Sequence, residues 1–287
     1  MLSYRHAFHA GNFADVHKHA VLSLLLAALR KKESPFCCID THAGAGRYDL
    51  NSAAAQKNRE YLGGIGRLWR RGDVPPAFAA YLAAVRVLNA ETAPPADSPA
   101  APRCYPGSPR IVRHHLRPQD RLILTELHGT DVVNLREEFT GDPQVAVHHL
   151  DGYQGLKAFL PPKEKRGLVL IDPAFELHDE VERAVGGLHA AWQRWPQGIF
   201  AFWYPITHRA SAQDIHQRAI KLGINKMLIV EISIRPPQSA RQLNGSGMLI
   251  VNPPWQIDAS LTEACQWLAA TLADDGGQAH VAWLTPE

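Results

Sequence analysis

Four cysteines stand among 287 residues, and Cys37, Cys38, Cys104 and Cys265 show no paired spacing. That excludes a disulfide framework. No Cys-x-x-Cys or His-x-x-x-His set stands near them either, so no metal site is expected. Long apolar runs are also missing. The longest, residues 20–29, is broken by Ser23 and ends in Arg30-Lys31-Lys32, too short to cross a bilayer. The first residues, Met1-Leu2-Ser3-Tyr4-Arg5-His6, lack the apolar stretch of a signal peptide. These absences predict a cytoplasmic, reduced protein without membrane attachment. Charge of one sign is lacking too: 30 basic against 28 acidic residues leave a formal +2. A nucleic-acid partner is neither demanded nor excluded, because a local basic surface matters more than the total.

What is present is apolar material, 46% of the chain, arranged in short runs that end in an acid. Pro35-Phe36-Cys37-Cys38-Ile39-Asp40 leads into Thr41-His42-Ala43-Gly44-Ala45-Gly46. The run at 121–125 ends in Glu126, that at 145–150 in Asp151-Gly152, and that at 167–171 in Asp172-Pro173. Strands apolar throughout and separated by helical stretches indicate a parallel sheet covered on both faces. Further strands are predicted at 198–203, 226–234, 247–251 and 280–284. Helices are predicted at 12–32, capped by Asn12 or Asp15, and at 181–194, 211–222 and 261–272. The interval between the first two strands is too long for a simple βαβ unit. Helical stretches at 53–71 and 76–89, then a Pro/Ala-rich connector at 92–102, read as an insertion. The expected organisation is a Rossmann-like domain formed by 1–52 and 104–287, with a helical insertion at 53–103.

In an open parallel sheet, ligands bind beyond the carboxyl ends of the strands. Asp40 with Gly44 and Gly46 would form the first turn, where missing side chains let a ligand approach the backbone. Glu126 suits the two hydroxyls of a ribose, and Asp151 the exocyclic amine of an adenine. A dinucleotide is disfavoured because Asp49 stands where the G-x-G-x-x-G fingerprint needs its third glycine. The set suits an adenosine carrying a sulfonium and an amino-acid tail.

Two motifs match amine-directed methyl transfer, Asp172-Pro173-Ala174-Phe175 and Asn252-Pro253-Pro254-Trp255. The amine of adenine is a poor nucleophile because its lone pair is delocalised into the ring. An Asp or Asn side chain and a following carbonyl accept its two N–H bonds and aim the lone pair. Proline fixes that carbonyl, and the aromatic side chain stacks on the base. By pattern Asn252 is the better match. By chain order Asp172 faces the cofactor, while Asn252 follows a strand expected to run antiparallel and end at the opposite edge. Asp172, Pro173 and Phe175 are therefore the expected catalytic residues, and residues 252–255 a structural turn.

The chain resembles the ribosomal RNA large-subunit methyltransferase J family along nearly its whole length. The opening residues Met1 to His6, Phe8-His9-Ala10-Gly11-Asn12, and Asp15-Val16 with Lys18-His19 carry the resemblance. So do Asp40 to Tyr48, Tyr105-Pro106-Gly107-Ser108-Pro109, Leu124 to His128, Trp203-Tyr204-Pro205 and Gly245-Ser246-Gly247-Met248. It implies a class I methyltransferase fold using S-adenosyl-L-methionine, acting on N6 of an adenine in 23S ribosomal RNA, free of ribosomal proteins, as a monomer. It also implies cofactor contacts for His19, His42, Ser108, Glu126, Asp151, Gly152 and Asp172, and approach of Tyr4, His6 and Lys18 to the substrate. The chain departs from the family pattern at Ala174, where a second proline is usual, and at Phe175, usually tyrosine. Rival readings are a DNA adenine methyltransferase and a catalytically weak nucleic-acid-binding accessory protein. Basic clusters at Arg67, Arg70 and Arg71, at Arg103, Arg110, Arg113 and Arg117, and at Lys163, Lys165 and Arg166 are candidate phosphate contacts.

Overall fold

The computed structural model describes residues 5–92, 102–235 and 243–286. Its strands are β1 (Cys37–Asp40), β2 (Arg47–Asp49), β3 (Cys104–Pro106), β4 (Arg121–Glu126), β5 (Val145–His149), β6 (Gly167–Ile171), β7 (Ile199–Ile206), β8 (Met227–Ser233), β9 (Gly245–Val251) and β10 (Gln278–Thr285). The α-helices are α1 (Phe13–Arg30), α2 (Ala53–Asn58), α3 (Ile65–Trp69), α4 (Ala79–Thr92), α5 (Ser108–His115), α6 (Gly129–Glu138), α7 (Gly152–Phe159), α8 (Glu180–Arg194), α9 (Arg209–Ile220) and α10 (Ile257–Leu272).

Eight strands form one sheet in the order β10-β8-β9-β7-β6-β1-β4-β5. From β5 to β7 every neighbouring pair is parallel. The chain builds outward from β1 through β4 and β5, then returns to the other side of β1 as β6. The strand order thus reverses between β1 and β6, where this architecture leaves a crevice for ligands. β9 runs antiparallel to both β7 and β8, and β10 antiparallel to β8. The expected α/β class with a largely parallel sheet is what the chain adopts.

Alternation along the strands separates two cores. Cys38, Leu122, Leu124, Leu168 and Leu170 face one side with α1, α5 and α10. Cys37, Ile39, Val169 and Ile171 face the other with α8 and α9. Covering on both faces explains the unbroken apolar runs. The exceptions are the edge strands, β5 half-buried along most of its length and β10 half-buried or exposed throughout. Helix α1 is buried nearly all round, since it lies between α5, α10 and the sheet. Asn12 caps it, its side chain accepting from Ala14 N and Asp15 N at 3.0 Å each. Asp15, the alternative cap in the sequence, does something else.

The stretch 53–71 is not one helix. Arg59 adopts φ 51°, in the left-handed region, and a 3-10 turn over Glu60–Gly63 separates α2 from α3. Gly64 then passes so close to the N-terminal segment that a Cβ would lie 2.1 Å from the Gly11 carbonyl. Packing against that segment overrides helical continuity. The strand pair β2–β3, with Arg47 opposite Pro106 and Asp49 opposite Cys104, brackets the helices α2 to α4 and closes them onto the sheet domain. Strands this short leave no periodic signal. Of the connector at 92–102, residues 93–101 lie outside the described residues, as does Tyr4.

Candidate active site

A cleft of about 910 Å³ opens at the carboxyl ends of the parallel strands. Its first wall is the turn after β1. Gly44 has φ 61°, and its N–H donates to Glu126 Oε2 at 2.7 Å. Glu126 Oε1 accepts from His128 N at 2.6 Å. Burial raises the proton affinity of Glu126, and those two N–H groups work against the rise. At the end of β5, Asp151 Oδ1 caps α7, accepting from Tyr153 N at 3.0 Å and Gln154 N at 3.1 Å. Gly152 is required beside it, since a Cβ would lie 2.3 Å from the Thr41 carbonyl.

His42 and His19 line the same cleft as neutral imidazoles, His42 half-buried and His19 buried. Burial pushes His42 down to about 4, and its Nδ1 lies 2.7 Å from Thr41 Oγ1. Burial takes His19 down to about 3, with Nδ1 2.8 Å from the Tyr105 hydroxyl and Nε2 buried without a partner. Ser108 lines the cleft at the start of α5. Asp40 and Gly46 do not line it. Asp40 is fully buried beneath the turn, where burial raises it to about 7, and its Oδ2 has no partner. Gly46 has φ 79°, and its carbonyl accepts from Gly107 N at 2.9 Å, so it shapes the turn from behind.

The opposite wall carries Asp172, Pro173, Ala174 and Phe175 after β6. Lys18 Nζ lies 2.5 Å from Asp172 Oδ2 and 3.0 Å from Asp15 Oδ1. Burial works against the charge of Lys18, but the carboxylates of Asp172 and Asp15 outweigh it and raise its proton affinity. Asp15 is likewise held well below the usual carboxylate range: burial opposes the charge, and His6 and Lys18 overcome it. His6 Nε2 is 2.8 Å from Asp15 Oδ2, which also accepts from Gly11 N. Phe175, at φ 53°, meets the Trp203 ring edge-on at 5.7 Å. Lys18 lies 5.5 Å over the other aromatic wall, Trp203, whose indole N–H donates to Ser246 Oγ at 2.9 Å.

The geometry brings together residues from five strand ends and the N-terminal helix. It does not include residues 252–255. Asn252 follows the antiparallel β9, sits at φ 52°, and donates from Nδ2 to the carbonyls of Pro196 at 2.7 Å and Gly198 at 2.8 Å. It ties a turn at the far edge of the sheet. Sequence reasoning missed Asp15 as an ion-pair partner, and Trp203, Tyr153, Arg183 and Glu180 as lining residues. For Asp15 a signal existed: an acid three residues before Lys18, on the same face of the helix. Most of the arginines named as candidate phosphate contacts have acidic partners. Arg67 pairs with Asp274, Arg71 with Asp73, Arg110 with Glu138, Arg113 with Asp142 and Arg117 with Asp120. Among the described residues no group of acids, histidines and cysteines has the arrangement of a metal site, and no helix is long and apolar enough to cross a membrane.

Residues 33–285 match the model of the family described as ribosomal RNA large subunit methyltransferase D, RlmJ. Two curated relatives, each a ribosomal RNA large subunit methyltransferase J, are from Escherichia coli K12 and Haemophilus influenzae Rd. Each is 43% identical over 288 residues, spanning all of both chains. A crystal structure of a Legionella pneumophila protein superposes with a TM-score of 0.86 at 32% identity, covering 96% of this chain and 98% of that one.

Proposed function

We propose, from the premise that the chain belongs to the ribosomal RNA large subunit methyltransferase J family, that it methylates N6 of an adenine in 23S ribosomal RNA. The donor in this reading is S-adenosyl-L-methionine. The observation that carries it is Asp172, placed at the switch-point end of the sheet, ion-paired to a buried lysine and flanked by an aromatic pair.

The cleft fits that cofactor. Glu126 spends one lone pair of each oxygen on a backbone N–H, leaving both oxygens able to accept the vicinal hydroxyls of a ribose. Asp151 Oδ2 accepts from Arg183 Nη2 at 3.3 Å and has a second acceptor site for an adenine amine. His19, whose buried Nε2 has no partner, lines the cleft together with Gly44, Gly152 and Ser108. Asp40 and Gly46 then support the turn rather than touch the ligand. When bound, the sulfonium supplies an electrophilic methyl group.

The residues of this chain supply the aim. The target adenine leaves its stack and enters the cleft beside the Phe175–Trp203 pair, where Phe175 stacks on it. Asp172 Oδ1 and the Pro173 carbonyl accept its two N–H bonds and hold the lone pair in line with the methyl-sulfur bond. Lys18 fixes Asp172 through Oδ2, and His6 fixes Lys18 through Asp15. Tyr4, His6 and Lys18 approach the RNA. We take residues 53–103 as an insertion on the main domain, and the protein as a cytoplasmic monomer acting on RNA free of ribosomal proteins.

The test is incubation of the protein with methyl-labelled cofactor and either unmodified 23S ribosomal RNA or duplex DNA, followed by nucleoside mass spectrometry. The expected product is N6-methyladenosine from the RNA alone. Label in DNA, or cofactor binding without turnover on any RNA, would overturn the proposal.

A further inference from the structure

The adenosine end of the cleft is closed by a clasp built from α7 and α8. Asp151 Oδ1 is committed to two backbone N–H groups at the start of α7. Its other oxygen, Oδ2, accepts from Arg183 Nη2 at 3.3 Å. The Arg183 guanidinium also lies 5.1 Å over the Tyr153 ring. Tyr153 donates its hydroxyl to Glu180 Oε1 at 2.8 Å, and the edge of His42 meets its ring at 5.4 Å. Gly187, on the same face of α8 as Glu180 and Arg183, lets the ring sit against bare backbone, since a Cβ there would lie 2.6 Å from Tyr153 Cδ1. Asp151, Tyr153, Glu180 and Arg183 all line the cleft.

We propose that Arg183 is a positioning residue for the adenine of the cofactor: it holds the Asp151 carboxylate so that Oδ2 meets the exocyclic amine. This rests on the reading of the cleft as an S-adenosylmethionine site. A carboxylate oxygen carries two acceptor sites, so the guanidinium occupies one and leaves the other to the ligand. Capping of α7 fixes one oxygen only, and the Arg183 contact fixes the second. The acceptor is thereby oriented before the ligand arrives, which lowers the ordering cost of binding. Arg183 itself is fixed by stacking on Tyr153, which Glu180 and Gly187 hold in place. Its effect therefore belongs to the amine of the ligand and not to the ribose, which Glu126 serves from another strand end.

Calorimetric titration with S-adenosylhomocysteine, and with its analogue bearing purine without the 6-amino group, tests this. Arg183→Met should weaken S-adenosylhomocysteine by about tenfold, the scale of one hydrogen bond to a charged group, and leave the deaminated analogue unchanged. Arg183→Lys, which keeps the charge, should fall between Arg183→Met and the parent protein. An equal loss for both ligands in a variant with the parent's thermal midpoint would make Arg183 merely structural and overturn the inference. So would no loss for either. A parent protein that binds neither ligand sinks the reading of the cleft itself, a separate result from parallel binding losses.

Discussion

Lys18 Nζ lies 2.5 Å from Asp172 Oδ2 and joins the first helix to the turn after β6, 154 residues away in sequence. The same ammonium meets Asp15 Oδ1 at 3.0 Å, so one buried cation holds two carboxylates. Replacing Lys18 by Met removes the cation the two share and leaves Asp15 with His6 and the Gly11 N–H. Removing one member of a buried ion pair costs about 3–5 kcal/mol, and denaturant unfolding should show a loss of that order. Methyl transfer should fall at least about 100-fold, the lower end for a lost positioning contact. Adding Asp15→Asn relieves one buried charge and should recover part of the stability without recovering turnover. If turnover returns with stability, Lys18 serves the fold and not the reaction.

Asp172 and Asn252 make opposite predictions although both precede proline. Asp172→Ala should abolish methyl transfer and, by taking from buried Lys18 one of its two carboxylates, also lower the thermal midpoint. Asn252→Ala should lower stability by about 1–3 kcal/mol, through two lost hydrogen bonds to the Pro196 and Gly198 carbonyls, and keep most of the activity. The measurements are single-turnover methylation and chemical denaturation on the same two variants. Activity surviving at Asp172→Ala and lost at Asn252→Ala would reverse the site assignment.

That choice was legible in the sequence because chain order fixes which end of a strand faces the cleft, and β9 is antiparallel as expected. The strands β4 and β6 coincide with their sequence runs because both faces of each are covered and the runs are unbroken. The break at Arg59 and Gly64 was not legible. It depends on the approach of Gly11, a contact some fifty residues distant that leaves no local trace. The clasp of Tyr153 and Arg183 was hidden for the same reason: on a helical face, an arginine that stacks on a ring looks like any solvated cation. Asp15 read as an alternative helix cap and Lys18 as a residue near the substrate, and only their mutual pairing makes burial of both tolerable.

Gly152 offers a test of the cofactor wall that leaves every charged group in place. A Cβ at this position meets the Thr41 carbonyl at 2.3 Å and Thr41 Cβ at 2.9 Å, both on the turn after β1. Neither atom is the far end of a flexible side chain, so the two turns must separate. Gly152→Ala should weaken S-adenosylhomocysteine at least about tenfold by titration calorimetry, a displacement penalty of the size seen for overpacking. Unchanged affinity would mean that the two turns move apart without cost to the ligand.

Stability should fall as the solution is acidified below about pH 6.5, because burial keeps four histidines neutral in the folded chain. His17 and His19 are held at about 3, and His42 and His115 at about 4. Between those values and the unfolded value of about 6.5, only the unfolded chain takes the proton. Each such histidine contributes stability present above about pH 6.5 and lost as pH falls, by about 1.4 kcal/mol per pH unit. Asp40 acts in the reverse sense. Burial raises it to about 7, so the folded chain keeps a proton that the unfolded chain releases above about pH 4, and stability is lost as pH rises through that window. These five groups together give a net uptake of about three protons on unfolding near pH 5, four less one. Urea denaturation between pH 4.5 and 8 measures the slope directly. His17→Gln should lower it by about one proton, and Asp40→Asn should raise it by about one while stabilising the protein at pH 8. A slope unchanged by both substitutions would place His17 and Asp40 in contact with water and overturn their assignment as buried uncharged groups.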